Sequence, residues 1–396
     1  MKIAILTTGN SSDTGGIMSF VCEEARQLNQ KGLTNMSFDV FMIRLRHSLL
    51  LSLILKYLKG VEHKTPVDYG KKITIVDGVT FHNLWIKENL VSFFIRTRIT
   101  YRPFGMANTR KIVKNLKSYD YVLTHKYESQ YIGLQMKKKY GIPFGAFWHG
   151  SELTIRTFSN KHAYSLSKEV LEKANDNFFV SKALLKIGKS VFGNGNNHVI
   201  YTGPSDMFYR YDAEQKKELR AKNRIQEDEI VVAYVGSLIS VKNVLVIPSI
   251  FRAIKDKCPN NKIKFWIIGS GDLEAELQFE LKKQEVSYDM LGKIPQNKMP
   301  DYMNCIDILL LISKKEGLGL VCLEAMKCGA QVFGSLVGGI PEVIGEDRCV
   351  PLDDKFVDDI SDMVSCSIQR GRVFQNYDEK FSWNSAIDSI LEAITH

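Results

Sequence analysis

The sequence lacks the features that mark membrane-spanning, disulfide-stapled and zinc-binding proteins. The longest strongly apolar stretch in its 396 residues covers residues 49–58, far fewer than the roughly 20 residues that span a bilayer. Its seven cysteines form no C-x-x-C pair, which argues against a disulfide framework or a zinc site and favours a reducing cytoplasm. The polar residues that follow the short apolar run 3–6 do not resemble a signal peptide.

Acidic residues are scarce in the first half of the chain. Residues 1–205 contain 29 Lys and Arg against 14 Asp and Glu, a net charge of +15, whereas residues 206–396 contain 24 against 30, a net charge of −6. A basic half predicts an anionic partner, which is either nucleic acid or an anionic membrane surface. The alternative is that the charge only keeps the chain soluble. Because no nucleic-acid-binding motif accompanies the basic residues, we expect no nucleic-acid partner.

Short apolar runs alternate with helix-length segments along the whole chain. This pattern favours βαβ units and parallel sheets, and it restarts from a clean strand at Lys2 and again at Ile230. The sequence therefore predicts two doubly wound α/β domains, residues 1–205 and 206–374. Residues 375–396 are predicted to form a C-terminal helix that packs back on the first domain. Ligands bind such sheets outside the carboxyl ends of their strands.

The densest cluster of unusual residues covers residues 313–345. Glu316 follows an apolar strand, and Gly317 and Gly319 then open a predicted helix over residues 320–327. The start of such a helix is an anion site, and Glu324 would lie about 6 Å along its axis at roughly 1.5 Å per residue. Sugar hydroxyls, a diphosphate and ribose hydroxyls fit this order. The alternative is a surface loop with one capping and one solvated glutamate.

The block from Glu316 to Glu324, within EGLGLVCLEAMKCGAQV and followed by GGIPEVI, resembles the E-x7-E region of glycosyltransferase family four. The resemblance implies the GT-B fold, with two facing Rossmann-like domains, and a retaining transferase that uses a nucleotide sugar. It also implies that the first domain binds the acceptor and the second the donor. It implies no metal and no cofactor, because the nucleoside-diphosphate sugar is a co-substrate.

Family motifs recur in order along nearly the whole chain, among them the glycine turn GG at 15–16, FWHGSE, YVGSLISVKN and LGKIP. The resemblance implies that His149 approaches the donor sugar, that Lys242 holds the diphosphate and that the main chain near Ile294 holds the base. It makes Glu316 and His149 the expected catalytic residues. The expected donor-binding residues are Gly16, Ser237, Lys242, Ile294, Gly317, Leu318, Gly319, Leu320 and Glu324.

Three positions depart from the family pattern. Ser237 stands where the family commonly has arginine, the segment TGPSD replaces its interdomain N-G-V-D, and Leu318 stands where it often has phenylalanine. The first change removes one charge that would hold the diphosphate. The segment GSGD at 269–272 lacks the third glycine of a dinucleotide-binding fingerprint, so we do not expect a dehydrogenase.

The basic half contains an apolar segment, residues 49–58, with Arg44, Arg46, Lys56, Lys59 and Lys64 around it, and a basic and aromatic stretch at 93–105. Such a segment is typical of a helix that lies on anionic lipid; the alternative is a core helix with solvated flanks. We expect a cytoplasmic transferase at the inner face of the membrane. It would extend a lipid-linked glycan acceptor during surface polysaccharide synthesis. A nucleotide-sugar epimerase and a non-catalytic scaffold remain alternatives.

Overall fold

The computed structural model describes residues 1–9, 16–59, 68–371, 375 and 377–395. They form two compact units, one comprising Met1–Ile200 with the chain from Ala386 onward, and the other Tyr201–Ser385. The predicted domain boundary lies between residues 205 and 206.

The first unit is built on an eight-stranded sheet in the order β3-β4-β2-β1-β5-β6-β7-β8. Neighbouring strands are parallel except for the β3–β4 hairpin. Residues 3–6 of the first strand are fully buried, as expected for a parallel strand covered on both faces. The strands are β1 (Lys2–Thr8), β2 (Ser37–His47), β3 (Ile73–Val76), β4 (Val79–Glu88), β5 (Tyr121–His125), β6 (Phe144–Trp148), β7 (Asp176–Phe179) and β8 (Asn197–Val199).

Helices follow most of these strands, so the chain alternates as the sequence predicts. The helices are α1 (Gly16–Gln30), α2 (Leu49–Lys59), α3 (Leu90–Phe94), α4 (Met106–Leu116), α5 (Tyr127–Tyr140), α6 (Lys161–Lys173) and α7 (Lys182–Val191). A π-helical segment, Ile95–Thr100, continues α3. Strand order reverses at β1, which has β2 on one side and β5 on the other. Ligand sites of doubly wound sheets lie at such a switch point.

The second unit is built on a six-stranded, fully parallel sheet in the order β11-β10-β9-β12-β13-β14. Its switch point lies between β9 and β12. The strands are β9 (Ile230–Val235), β10 (Ile263–Ile268), β11 (Tyr288–Gly292), β12 (Ile308–Leu311), β13 (Gln331–Ser335) and β14 (Cys349–Val350). The helices are α8 (Ala213–Lys222), α9 (Ile247–Lys257), α10 (Glu274–Lys283), α11 (Met299–Cys305), α12 (Leu320–Lys327), α13 (Ile340–Ile344) and α14 (Phe356–Arg370).

The last helix, α15 (Trp383–Thr395), is shorter than the predicted segment 375–396. It begins after Ser382, whose hydroxyl accepts a hydrogen bond from the Ser385 N–H at 3.2 Å. From Ala386 onward it belongs to the first unit, where Asp388 forms an ion pair with Lys31 at 2.6 Å.

Two sheets of this topology confirm the predicted α/β class. Within the described residues, no helix is both long enough and apolar enough to cross a membrane. The same part of the chain contains no group of three or more His, Cys, Asp or Glu side chains placed to hold a metal ion.

Candidate functional site

Lys242 and Glu316 meet at the switch point of the second sheet. Lys242 lies in the loop after β9, Glu316 lies in the loop after β12, and Lys242 Nζ donates to Glu316 Oε2 at 2.6 Å. The two loops are also joined by their main chains, because the N–H of Lys314 donates to the carbonyl of Val241 at 2.8 Å. The structure thus brings together the predicted phosphate-binding lysine and the predicted sugar-binding glutamate.

The carboxylate of Glu316 accepts hydrogen bonds from three donors. Besides Lys242, the hydroxyl of Ser313 donates to Oε2 at 3.0 Å, and the N–H of Gly317 donates to Oε1 at 3.3 Å. Lys242 and Gly317 are two of the groups predicted to hold phosphate. The carboxylate of Glu316 therefore binds two groups that are predicted to hold phosphate. A bound diphosphate would compete with it for Lys242.

Two glycines allow the loops around Glu316 to approach one another. Gly338, in the loop after β13, has φ +56°, and a Cβ there would lie 2.0 Å from the carbonyl oxygen of Glu316. Gly319 has φ +92° and precedes the first residue of α12. Both conformations favour glycine. Gly319 of EGLG and Gly338 of GG-I-P-E therefore allow the main chain around Glu316 to adopt its conformation.

Helix α12 occupies Leu320–Lys327, as the sequence predicts. The first N–H groups of a helix have no partner within it, and they carry the positive end of the helix dipole. Gly319 offers no side chain to cap them, so they remain suited to an anion. Leu318 is buried, which limits its role at the site to its main chain.

Glu324 lies partly buried on α12. Burial raises the pKa of its carboxyl from 4.5 to about 8, and a side-chain hydrogen bond with Gln296 opposes the shift. Gln296 lies two residues after Ile294, in the loop that follows β11. The predicted base-binding loop and the predicted ribose-binding glutamate are therefore in contact. Sequence reasoning missed Gln296, because nothing in its own segment marks it as a partner of α12.

The loops after β9 and β10 touch through their main chains. A Cβ at Gly269 would lie 1.9 Å from the carbonyl oxygen of Gly236, and the N–H of Leu238 donates to the carbonyl of Ser270 at 3.0 Å. This contact holds Ser237 in place, and its side chain is exposed. The segment GSGD thus packs against the loop that carries Ser237.

In the first unit, His149 directly follows β6, the second strand along from the switch-point strand β1. Its ring packs edge-on against Phe20, with centroids 4.6 Å apart, and its Nε2 lies 3.0 Å from Nδ1 of His125. Burial, followed by the charges of His125 and Lys126, holds the pKa of His149 well below its ordinary value. The imidazole is therefore neutral at physiological pH.

Two other predicted positions lie in this unit. Gly16 is the first residue of α1 and is exposed, with open space where a Cβ would stand, so the structure shows no steric need for glycine there. Gly15 lies outside the described residues. Ser181, at the start of α7, caps that helix: its hydroxyl accepts a hydrogen bond from the N–H of Leu184 at 3.2 Å.

The comparisons with known proteins bear on the second unit first. Residues 215–380 match the model of the family described as "Glycosyl transferases group 1". This match confirms the family resemblance for the segment it covers, which contains Ser237, Lys242, Ile294 and both glutamates.

Two curated relatives illustrate the similarity of the group 1 domain and its surroundings. The putative teichuronic acid biosynthesis glycosyltransferase TuaC of Bacillus subtilis is 22% identical over 224 residues, 57% of this chain and 54% of that protein. The N-acetyl-alpha-D-glucosaminyl L-malate synthase of Bacillus anthracis is 27% identical over 198 residues, 50% of each. The chain thus spans about half the length of these relatives.

A solved structure matches the whole chain. The crystal structure of Anabaena Alr3699/HepE in complex with UDP and glucose has a TM-score of 0.72 at 16% identity, covering 100% of this chain and 99% of that one. At this identity the likeness shows the fold, and it confirms the GT-B class predicted from the sequence.

The raised pKa of Glu324 predicts how stability depends on pH. Between about pH 4.5 and 8 the folded state keeps a proton that the unfolded state has lost, so stability falls as pH rises through this window. Glu324→Gln removes this contribution. We expect the melting temperature of the wild type to fall by about 4 °C more than that of the variant between pH 5.5 and 8.

Thermal unfolding of both proteins at the two pH values measures this difference. The matched control is Glu276→Gln, at an exposed position of α10, which should keep the wild-type dependence. Parallel pH dependences for the wild type and Glu324→Gln would contradict a buried, protonated carboxyl.

Proposed function

We propose that the chain is a retaining glycosyltransferase that moves a sugar from a nucleoside-diphosphate donor to a carbohydrate acceptor. One observation carries the proposal: Lys242 and Glu316 meet at the switch point of the sheet in the segment that matches the group 1 model, beside the start of α12, which no side chain among the described residues caps. The likeness to a protein solved with UDP and glucose supports a nucleotide sugar as donor.

The diphosphate would bind between Lys242 and the first N–H groups of α12. A lysine supplies a compact positive charge, and the helix start adds oriented N–H donors. Together they would stabilise the negative charge that grows on the departing diphosphate. Because these groups supply the positive potential, we propose a reaction without metal or cofactor.

Glu324 would bind the ribose hydroxyls in its ionised form, since a carboxylate accepts two hydrogen bonds from neighbouring hydroxyls. Ribose binding would therefore release the proton that burial keeps on this carboxyl. Gln296 lies in the loop of Ile294 and forms a hydrogen bond with Glu324. The loop that would bind the base and the glutamate that would bind the ribose are therefore in contact. Glu316 would orient the donor sugar on the second unit, and His149 would bind a substrate hydroxyl on the first. The acceptor hydroxyl would then attack on the face from which the diphosphate leaves, and the phosphate would take its proton.

Because Glu316 and Lys242 contact each other, variants of the two residues should differ in their effects on diphosphate binding and on sugar transfer. Lys242→Ala should weaken binding of the nucleoside diphosphate by about 10- to 100-fold, because a charged hydrogen-bond donor is lost. Glu316→Gln should abolish most sugar transfer, by roughly 100-fold or more. It should nevertheless bind the diphosphate at least as tightly as the wild type, because the competing carboxylate is gone.

Calorimetric titration with UDP, GDP and ADP measures binding, and consumption of the matching nucleotide sugar measures turnover. Consumption without any acceptor that yields an isomeric nucleotide sugar would favour the epimerase. Loss of diphosphate binding in Glu316→Gln would refute the competition between the carboxylate and phosphate. Unchanged turnover in both variants would refute the transferase itself.

Ser237 offers a test by gain of affinity. Its side chain is exposed on the loop after β9, where the family commonly carries arginine. Ser237→Arg should tighten diphosphate binding by about tenfold, since one additional charged hydrogen bond contributes about 1.5 kcal/mol. The control is Ser237→Gln, which adds length without charge and should bind as the wild type does. Equal affinity of all three proteins would show that this loop does not face the phosphates.

We further propose that the first unit binds the inner face of an anionic membrane and takes a lipid-linked acceptor there. On α2, Leu51 and Leu55 are buried, whereas Leu49, Leu50, Leu53 and Tyr57 are 57–90% exposed. The helix thus packs one face on the core and leaves an apolar face uncovered. The segment therefore forms a core helix on one face, and membrane contact of the other face stays a prediction.

A second exposed apolar group lies at the same edge of the sheet. It consists of Val91, Phe94, Ile95 and Ile99 in α3 and its π-helical continuation. The two segments follow the neighbouring strands β2 and β4, and the N–H of Ser48 donates to the carbonyl of Glu88 at 2.8 Å. We call both groups together the apolar edge.

The exposed cations beside the apolar edge are fewer than the sequence suggests. Lys56, Arg98 and Arg102 are exposed, which suits anionic headgroups. Arg44, in contrast, is fully buried and bound to Asp68, and Arg96 is paired with Glu88. Lys64 and the side chain of Lys59 lie outside the described residues.

Flotation with vesicles tests the membrane proposal. The double variant Leu50→Glu/Leu53→Glu should bind phosphatidylglycerol vesicles about tenfold or more weakly than the wild type, because it places charge where apolar side chains would be buried. Ile54 is half-buried and stays unchanged. Phe279→Glu, at an exposed phenylalanine on α10, is the control. A wild type that does not float with these vesicles would refute the proposal.

A further inference from the structure

Three titratable side chains lie in line within the first unit. Glu24 on α1, His125 at the end of β5 and His149 just after β6 come together although they are distant in the sequence. Nε2 of His125 lies 2.9 Å from Oε2 of Glu24, and Nδ1 of His125 lies 3.0 Å from Nε2 of His149. His125 thus contacts both other members through its two ring nitrogens. His149 is the end of the series that reaches the surface, since it is partly exposed.

Glu24 and His125, the two inner members of this series, are shielded from solvent. The side chains of Glu24 and His125 are fully buried, and Phe147 stacks on the His125 ring with centroids 4.5 Å apart. Apart from the 2.9 Å contact with Nε2 of His125, which does not have hydrogen-bond geometry, neither carboxylate oxygen of Glu24 has a polar partner among the described residues. A buried carboxylate is costly unless it is paired. The contact with His125 is therefore the interaction that offsets this cost.

With Glu24 ionised and both rings neutral, counting protons along the contacts gives each ring a defined state. A bare Nε2 on His125 would face the lone pairs of Glu24 at 2.9 Å, and that contact is repulsive. A neutral His125 therefore carries its proton on Nε2, and its Nδ1 is an acceptor. Across the 3.0 Å contact the donor must then be Nε2 of His149. The remaining nitrogen of His149, Nδ1, is left as an acceptor for a ligand.

We infer that Glu24 and His125 are positioning residues that fix the tautomer and orientation of His149, so that His149 presents Nδ1 as a hydrogen-bond acceptor to a hydroxyl of a substrate bound at the first unit. The inference rests on the proposed function for the role of that hydroxyl. A carboxylate that sets the tautomer of a histidine is a recurrent device in catalytic sites. Here the effect passes through a second histidine.

Neighbouring groups are consistent with a neutral His149. The ammonium of Lys126, adjacent to His125 in the chain, donates to the carbonyl of Thr8 at 2.6 Å, and its charge disfavours a second cation at His149. Glu152, which also lies nearby, accepts a hydrogen bond from the N–H of Gly150. Neutrality of His149 means that one ring nitrogen must be bare, and Glu24 with His125 decides which one.

The test reads the tautomer directly. In ¹⁵N-histidine-labelled protein, long-range ¹H–¹⁵N spectra should show His149 with a protonated Nε2 and a bare Nδ1. His149→Gln assigns the signals. Glu24→Gln, whose amide can donate to His125, should reverse or mix the tautomers of His149. Glu23→Gln, a neighbouring buried glutamate paired with Arg26 and Gln27, is the matched control and should leave the spectrum unchanged.

Turnover supplies the second measurement. Glu24→Gln should lower kcat by roughly 10- to 100-fold, the range for groups that orient a functional histidine from behind, while diphosphate affinity stays within about twofold. Glu24→Asp should recover part of the loss.

A wild-type His149 protonated on Nδ1, or a tautomer unaffected by Glu24→Gln, would overturn the inference. The wild-type spectrum alone decides if Glu24→Gln does not fold. Because the spectrum needs no sugar nucleotide, failure of the proposed transfer activity would remain a separate result.

Discussion

The ion pair between Lys242 and Glu316 is the interaction on which the second unit's site depends. It joins the loops that leave β9 and β12, the two strands at the switch point. In the proposed function it supplies a cation for the phosphate and an anion for the hydroxyls of a nucleotide sugar. The surrounding glycines allow the main chain to approach closely enough for this ion pair to form. Gly338 and Gly319 allow the main chain to fold around Glu316, and Gly269 allows the loop before Lys242 to pack. Substitution of these glycines would displace the pair rather than merely loosen a turn.

The charge asymmetry of the chain has a structural explanation in part. The acidic second unit needs no net positive charge to bind a diphosphate, because one lysine and one helix start act at short range, where local fields outweigh the distant net charge. In the basic first unit, some cations serve the fold. Arg44 is bound to Asp68 inside the unit and its guanidinium lies over Trp85, so only the exposed remainder is available to an anionic partner.

Local patterns in the sequence predicted a large part of this structure. The bounds of α12 and the place of Glu316 followed from glycine spacing and a strand end, because both depend on elements whose order the parallel topology dictates. Lys242 was expected from the family resemblance, and its ion pair with Glu316 was not predicted. The Glu324–Gln296 contact and the Glu24–His125–His149 series could not be predicted. Each joins elements that are distant in the sequence, and a buried glutamate on an amphipathic helix looks the same in sequence whether its partner is a histidine, an arginine or water.

The central claim is that the second unit binds a nucleoside-diphosphate sugar through Lys242 and the start of α12. A thermal-shift panel of UDP-, GDP- and ADP-sugars tests it most directly, because a ligand that binds only the folded state raises the melting temperature. The account predicts that at least one of these donors stabilises the wild type and that Lys242→Ala loses most of the shift at the same concentration. A shift that Lys242→Ala retains in full, or no shift with any donor at millimolar concentration, would contradict it.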